Sequence, residues 1–294
     1  MAGETGPITV SLPRAMVMAG FFALSIYNSF EILLMILNTF KRREGLYFWS
    51  MLVATLGIPL HAVSVLLRYF RLAPNLPMCV LTVCGWWAMV TGQSVVLYSR
   101  LHLVVDEKRR IRWVLIMIIT NVCILHLPVT VLFLGSNAGE ETPFLRPFEI
   151  YEKIQLAGFF LQELIISSLY IFEAARALRP VLAIKSCSEQ EVVRNLILAN
   201  VLVVALDVTL LVTQYTNNFD IQTTYKPVVY SVKLKIEFIV LNQLVSILRD
   251  RNESSSASHN CGVGELSNLQ VLSEKLEYVG SIGTNQNRNG TWLS

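Results

Sequence analysis

Residues 85–110 read GWWAMVTGQSVVLYSRLHLVVDEKRR, and this stretch decides the fold class. Together with the apolar residues from Cys79 onward, it exceeds the roughly 20 residues that a helix needs to cross a bilayer. It then runs into a dense basic cluster, Lys108, Arg109 and Arg110, continued by Arg112 just beyond. Inside the apolar part, Trp86, Gln93 and Arg100 recur every seven residues, which is close to two helical turns and puts them on one face. A lipid-facing surface gains nothing from such a stripe, so this face is expected to look into protein. The stretch predicts a membrane bundle with a polar interior.

Composition agrees. Hydrophobic residues make up 53% of the chain and charged residues 15%, against about 25% charge in an ordinary soluble domain. Mean hydropathy is +0.52. The net charge of +3 is too small to suggest nucleic acid. The five cysteines (Cys79, Cys84, Cys123, Cys187 and Cys261) form no CxxC pair, so no disulfide framework is expected. Residues 1–14 carry no basic region of the signal-peptide kind, and the first apolar run is expected to act as an uncleaved anchor.

Working outward, seven spans are predicted: Ala15–Phe40, Leu46–Phe70, Pro77–Val104, Ile111–Leu134, Ile150–Leu178, Val192–Tyr215 and Tyr225–Leu248. One set of loops and flanks holds Lys41, Arg42, Arg43, Arg100, Lys108, Arg109, Arg110, Arg112, Arg176, Arg179, Lys185, Arg194, Arg249 and Arg251. The other holds Arg14, Arg68, Arg71, Arg146 and Lys226, together with the acidic GEETPF. The positive-inside rule puts the first set in the cytoplasm. The predicted architecture is therefore an all-α seven-transmembrane-helix bundle over residues 15–248, with a short extracellular or lumenal amino terminus (1–14) and a cytoplasmic carboxyl terminus. Residues 249–294, rich in Ser, Asn and Gly, read as a disordered tail. Its two sequons, at Asn252 and Asn289, are not expected to be glycosylated on that side.

Charges inside a membrane are costly, roughly 2.5–3.5 kcal/mol each on insertion scales, and so tend to face the bundle interior and mark function. Asn200, Asp207 and Gln214 share one face of the sixth span; Lys233, Lys235 and Glu237 lie in the seventh. Asp207 and Lys233 fall at equal depth, about 12 Å below the outer boundary at 1.5 Å per residue, and are expected to pair, with Glu237 as the alternative partner of Lys233. His61, Ser64 and Arg68 follow a Gly57-Ile58-Pro59 sequence, and His126 precedes Pro128. Proline kinks open room between helices, so Asp207, Lys233, His61 and His126 are the candidate ligand-binding residues of an outer-half cavity. Glu31 and Glu163 are expected as interhelical anchors. Arg100, Lys108, Arg109 and Arg110 are the candidates for cytoplasmic coupling, set against a simpler role in topology and anionic-lipid contact.

An odd span count, an outside amino terminus and a Ser-rich tail suggest a receptor or sensor. Tyr98-Ser99-Arg100 resembles the arginine motif of heptahelical receptors, without the acidic residue before the arginine; Val240-Leu241-Asn242-Gln243 stands where those receptors carry Asn-Pro-x-x-Tyr. A Schiff-base lysine would need a closed apolar pocket with a counter-ion, and two nearby lysines leave that assignment ambiguous. With four histidines and no HxxxH or HExxH, no metal site is expected, and nothing calls for a cofactor. A metal-free membrane cyclase using Asp207, Glu163 or Glu31 as acid is the alternative, as is a small-solute transporter, although seven spans do not divide into equal inverted halves.

Four stretches, YFWSMLVATLGIPLHAVSVLLRYF (47–70), GWWAMVTGQSVVLYSRLHLV (85–104), YEKIQLAGFFLQELIISSLYIFEA (151–174) and VKLKIEFIVLNQLVSIL (232–248), resemble a fungal family of heptahelical integral membrane proteins. That family is catalogued as a domain of unknown function. The resemblance implies a multi-pass membrane protein with seven spans, and carries over no activity and no site residue. Some small fungal membrane proteins belong to secondary-metabolite gene clusters, which keeps the cyclase alternative open. The expected function is thus a receptor-like or sensor-like membrane protein rather than an enzyme. Its expected partners are the lipid bilayer, a small apolar or amphipathic ligand and a cytoplasmic protein, with the plasma membrane or an endomembrane as its site.

Overall fold

The computed structural model describes residues 11–40, 45–105, 107–138, 143–182, 187–216 and 219–257. These form seven helices and, among the described residues, no strand: α1 (Leu12–Thr39), α2 (Leu46–Tyr69), α3 (Asn75–Val104), α4 (Lys108–Ala138), α5 (Leu145–Leu182), α6 (Cys187–Tyr215) and α7 (Phe219–Ala257). Pro13 sits in the first turn of α1, where its missing N–H costs nothing. In α4, residues Val122–His126 make a single wide π turn. Pro128 just beyond it cannot donate to the Ile124 carbonyl four residues back; the Tyr151 hydroxyl of α5 donates to that oxygen instead, at 2.8 Å.

Six helical stretches, in α1 through α6, are long and apolar enough to cross a membrane. α7 falls outside that set because Lys226, Lys233, Lys235 and Glu237 interrupt its apolar run. It nevertheless packs against α1, α2, α3 and α6, and between residues 219 and 242 it exposes only Ile239. It also continues to Ala257, past the expected end at Leu248, since no Gly or Pro interrupts residues 249–257. Residues 258–294, and with them most of the predicted tail, lie outside the described residues, as do residues 1–10 and Lys41, Arg42 and Arg43.

α2 and α3 form the tightest pair. A Cβ on Gly85 would lie 2.5 Å from the His61 backbone nitrogen, and one on Gly57 2.7 Å from the Met89 nitrogen. Small residues thus let the two backbones touch. The Gly57-Ile58-Pro59 sequence, expected to open room between helices, sits on this seam. The helices close there because the glycines face each other, and His61 is held rigidly against α3 as a result.

Candidate functional site

The polar stripes predicted from spacing turn inward. Trp86, Gln93 and Arg100 on α3 are buried, as are Asn200, Asp207 and Gln214 on α6. Two of them, Arg100 and Asp207, bond α7, whose Lys226, Lys233, Lys235 and Glu237 each bond another helix. Lys233, with no exposed surface, bonds Asp207 of α6, the partner expected from depth. Its ammonium also bonds Glu163 Oε2 of α5 at 2.7 Å and stands 4.9 Å from the centre of the Tyr230 ring. Glu237, the alternative partner, bonds Arg100 of α3 instead. Arg100 Nη2 donates to Asn200 Oδ1 at 3.0 Å, and its guanidinium lies over Tyr170 at 4.1 Å. Lys235 bonds Glu31 of α1 at 2.7 Å, and Lys226 bonds Glu152 of α5 at 2.7 Å. Opposite charges at this distance offset the desolvation that each would suffer alone.

A pocket of about 60 Å³ opens among α2, α3, α4, α5 and α7, at the end of the bundle that carries the turns after α2, α4 and α6. His61, Arg68, Thr82, Thr223 and the Lys226–Glu152 pair supply much of its polar lining, with Trp86, Phe133, Phe148 and Phe219 among the apolar walls. Gln214 Nε2 holds the second Glu152 oxygen at 3.3 Å. Arg68 donates to Asn75 Oδ1 at 3.0 Å and to Asn137 Oδ1 at 2.8 Å, and its guanidinium lies 5.1 Å from the centre of the Phe133 ring. Thr82 links back to α2 by donating to Ser64 Oγ at 3.0 Å.

Of the four candidate ligand residues, His61 alone lines this pocket. Asp207 and Lys233 lie deeper, in the cluster with Glu163. His126 stands behind the wall, with its ring centre 4.3 Å from that of Trp86, 5.2 Å from Trp87 and 4.8 Å from Phe159; Thr91 Oγ1 is 3.3 Å from its Nε2. Among the coupling candidates, Lys108 and Arg109 are exposed, and Arg110 bonds Glu107 and Glu173. Arg100 is buried within the bundle rather than displayed with them, because α3 continues beyond it to Val104.

A sequence profile of the family described as Domain of unknown function (DUF7703) matches residues 5–258. The chain belongs to this family. No curated protein and no solved structure matches it. The fold makes this DUF7703 chain a multi-pass membrane protein by helix length and composition.

In this DUF7703 chain the Lys226–Glu152 pair escaped the sequence argument, which counted Lys226 only as a loop charge. Both residues fall close to the same end of their helices, and the depth comparison that joined Asp207 to Lys233 would have joined them too. Asn75 and Asn137 as holders of Arg68 left no such signal: they lie 62 residues apart, on the ends of different helices.

Proposed function

We propose that the protein is a receptor-like membrane sensor. In this reading all seven helices cross the bilayer, the amino terminus is outside and the carboxyl terminus is cytoplasmic. A small apolar or amphipathic ligand enters the pocket beside His61. The observation that carries this is the line of bonded charges on α7. It begins at Lys226 in the pocket wall, passes Lys233, and ends at Glu237 on Arg100, about 16 Å further along at 1.5 Å per residue. Occupancy that shifts Lys226 or Glu152 would therefore be felt at Arg100, toward the end where Lys108, Arg109 and Arg112 are exposed. Trp49 and Trp113 are exposed at that same end, as expected of residues that mark a membrane–water boundary. Asp207 and Lys233 act here by holding α7 in place rather than by touching ligand. His126 braces Trp86, and a cytoplasmic protein reads the exposed basic end.

Native mass spectrometry of the detergent-purified protein, beside His61→Phe and Lys226→Met, tests the ligand site. A small molecule retained by the wild type and missing from both variants is the expected result. A wild type that carries nothing specific, with all three proteins folding alike, overturns it.

A further inference from the structure

The pocket's chemistry narrows its occupant, on the reading that the pocket is a ligand site. Each charge in the lining is already engaged by protein: Lys226 with Glu152, Glu152 also with Gln214, and Arg68 with Asn75 and Asn137. A charged ligand would have to break one of these buried bonds, at a cost that its own new contacts must first repay. Two lining groups are different. His61 Nδ1 lies 3.1 Å from the Thr82 carbonyl oxygen, which can only accept, so Nδ1 carries the hydrogen and Nε2 is left as an acceptor. That Nε2 is buried and makes no well-formed hydrogen bond to protein, and neither does the Thr223 hydroxyl oxygen, although the Thr223 backbone stands near the imidazole and the Tyr69 hydroxyl near the Thr223 side chain. His61 and Thr223 are both at least nine-tenths buried, so the cost of leaving these atoms unpaired falls on the folded state.

Size narrows the occupant further. An apolar cavity of about 150 Å³ accepts benzene, so a pocket of about 60 Å³ takes only a short group. We infer that the occupant is a small uncharged molecule presenting a hydroxyl on a short apolar body, or the hydroxyl end of a longer one. The hydroxyl donates to His61 Nε2 and exchanges a second hydrogen bond with Thr223 Oγ1, while its carbon chain rests on Trp86, Phe133 and Phe148.

The test uses full-length protein in nanodiscs, with histidine labelled in the heavy nitrogen isotope and the His61 Nε2 resonance assigned by its loss in His61→Phe. Four size-matched probes are titrated: 1-propanol, its isomer methoxyethane, propanoate and propylammonium. The expected result is a saturable shift with 1-propanol and none with the other three, with Thr223→Val weakening the apparent affinity about five-fold, the worth of one hydrogen bond. Equal shifts from 1-propanol and methoxyethane would show an apolar site that needs no donor. A shift from propanoate or propylammonium alone would show a charged ligand. Either outcome overturns the hydroxyl assignment and leaves the ligand site standing. Silence from all four probes overturns the hydroxyl assignment and the ligand site together.

Discussion

Helices α1 and α7 lie side by side, joined where Asn28 Nδ2 donates to Ser231 Oγ at 3.1 Å and where Lys235 meets Glu31. α1 turns Tyr27, Phe30, Leu34 and Leu37 outward and buries a third of its apolar window. Between residues 219 and 242, α7 turns only Ile239 outward; it carries Lys226, Lys233 and Glu237 into the bundle and keeps Lys235 half-buried. In a membrane the solvent is the apolar phase, so an apolar helix can stay at the edge while a charged helix must find its partners at the centre. The difference teaches where stability resides: in α7 it depends on specific bonds from α3, α5 and α6, and in the outward face of α1 on lipid alone.

The sharpest way to break this contrast is Lys233→Met. It strands Asp207 and Glu163 as buried carboxylates without their cation, and removal of one partner from a buried pair costs about 3–5 kcal/mol. Thermal unfolding in nanodiscs should fall steeply. Combining it with Asp207→Asn and Glu163→Gln should recover much of the loss, since no charge is then left unpaired. A single variant as stable as the wild type would show that α7 is held by packing alone.

A smaller loss is expected from Gly85→Ala, at about 1–3 kcal/mol for forced overpacking. The new Cβ would press on the His61 backbone, and the same melting experiment reads the result. Because that contact also places His61, the variant should perturb the His61 nitrogen resonance. An unchanged resonance would mean that the α2–α3 seam does not position the pocket.

Arg110→Ala removes bonds to Glu107 and Glu173 at a partly exposed site. Exposed pairs contribute about 0–1 kcal/mol, and the effect should shrink further in high salt. A loss as large as that of Lys233→Met would erase the distinction between the helix end and the buried cluster. The least effect belongs to Tyr27→Leu on the outward face of α1, within about 0.5 kcal/mol. A marked destabilisation there would mean that this face meets protein rather than lipid.

Much of the site was legible in spacing. Trp86, Gln93 and Arg100, like Asn200, Asp207 and Gln214, returned to one face every seven residues, and both faces are buried. Equal depth joined Asp207 to Lys233. Depth did not tell whether Asp207 and Lys233 shared a space with His61 and His126, because residues at one level of a bundle can face different gaps. The rotation of each helix about its own axis decides that, and contacts far apart in sequence set it. Gly85 against His61 is one such contact; Tyr151 on the Ile124 carbonyl is another.

What the sequence determined by itself was the membrane setting, the all-helical class and the inward turn of the polar stripes, because each follows from periodicity and length within one segment. Tertiary structure alone decided that α7 is the enclosed helix, that Glu237 chooses Arg100 over Lys233, and that the pocket lies beside Lys226–Glu152 and not Lys233–Asp207. Those outcomes depend on which helix is neighbour to which. A buried charge takes whichever partner the packing brings within bonding distance.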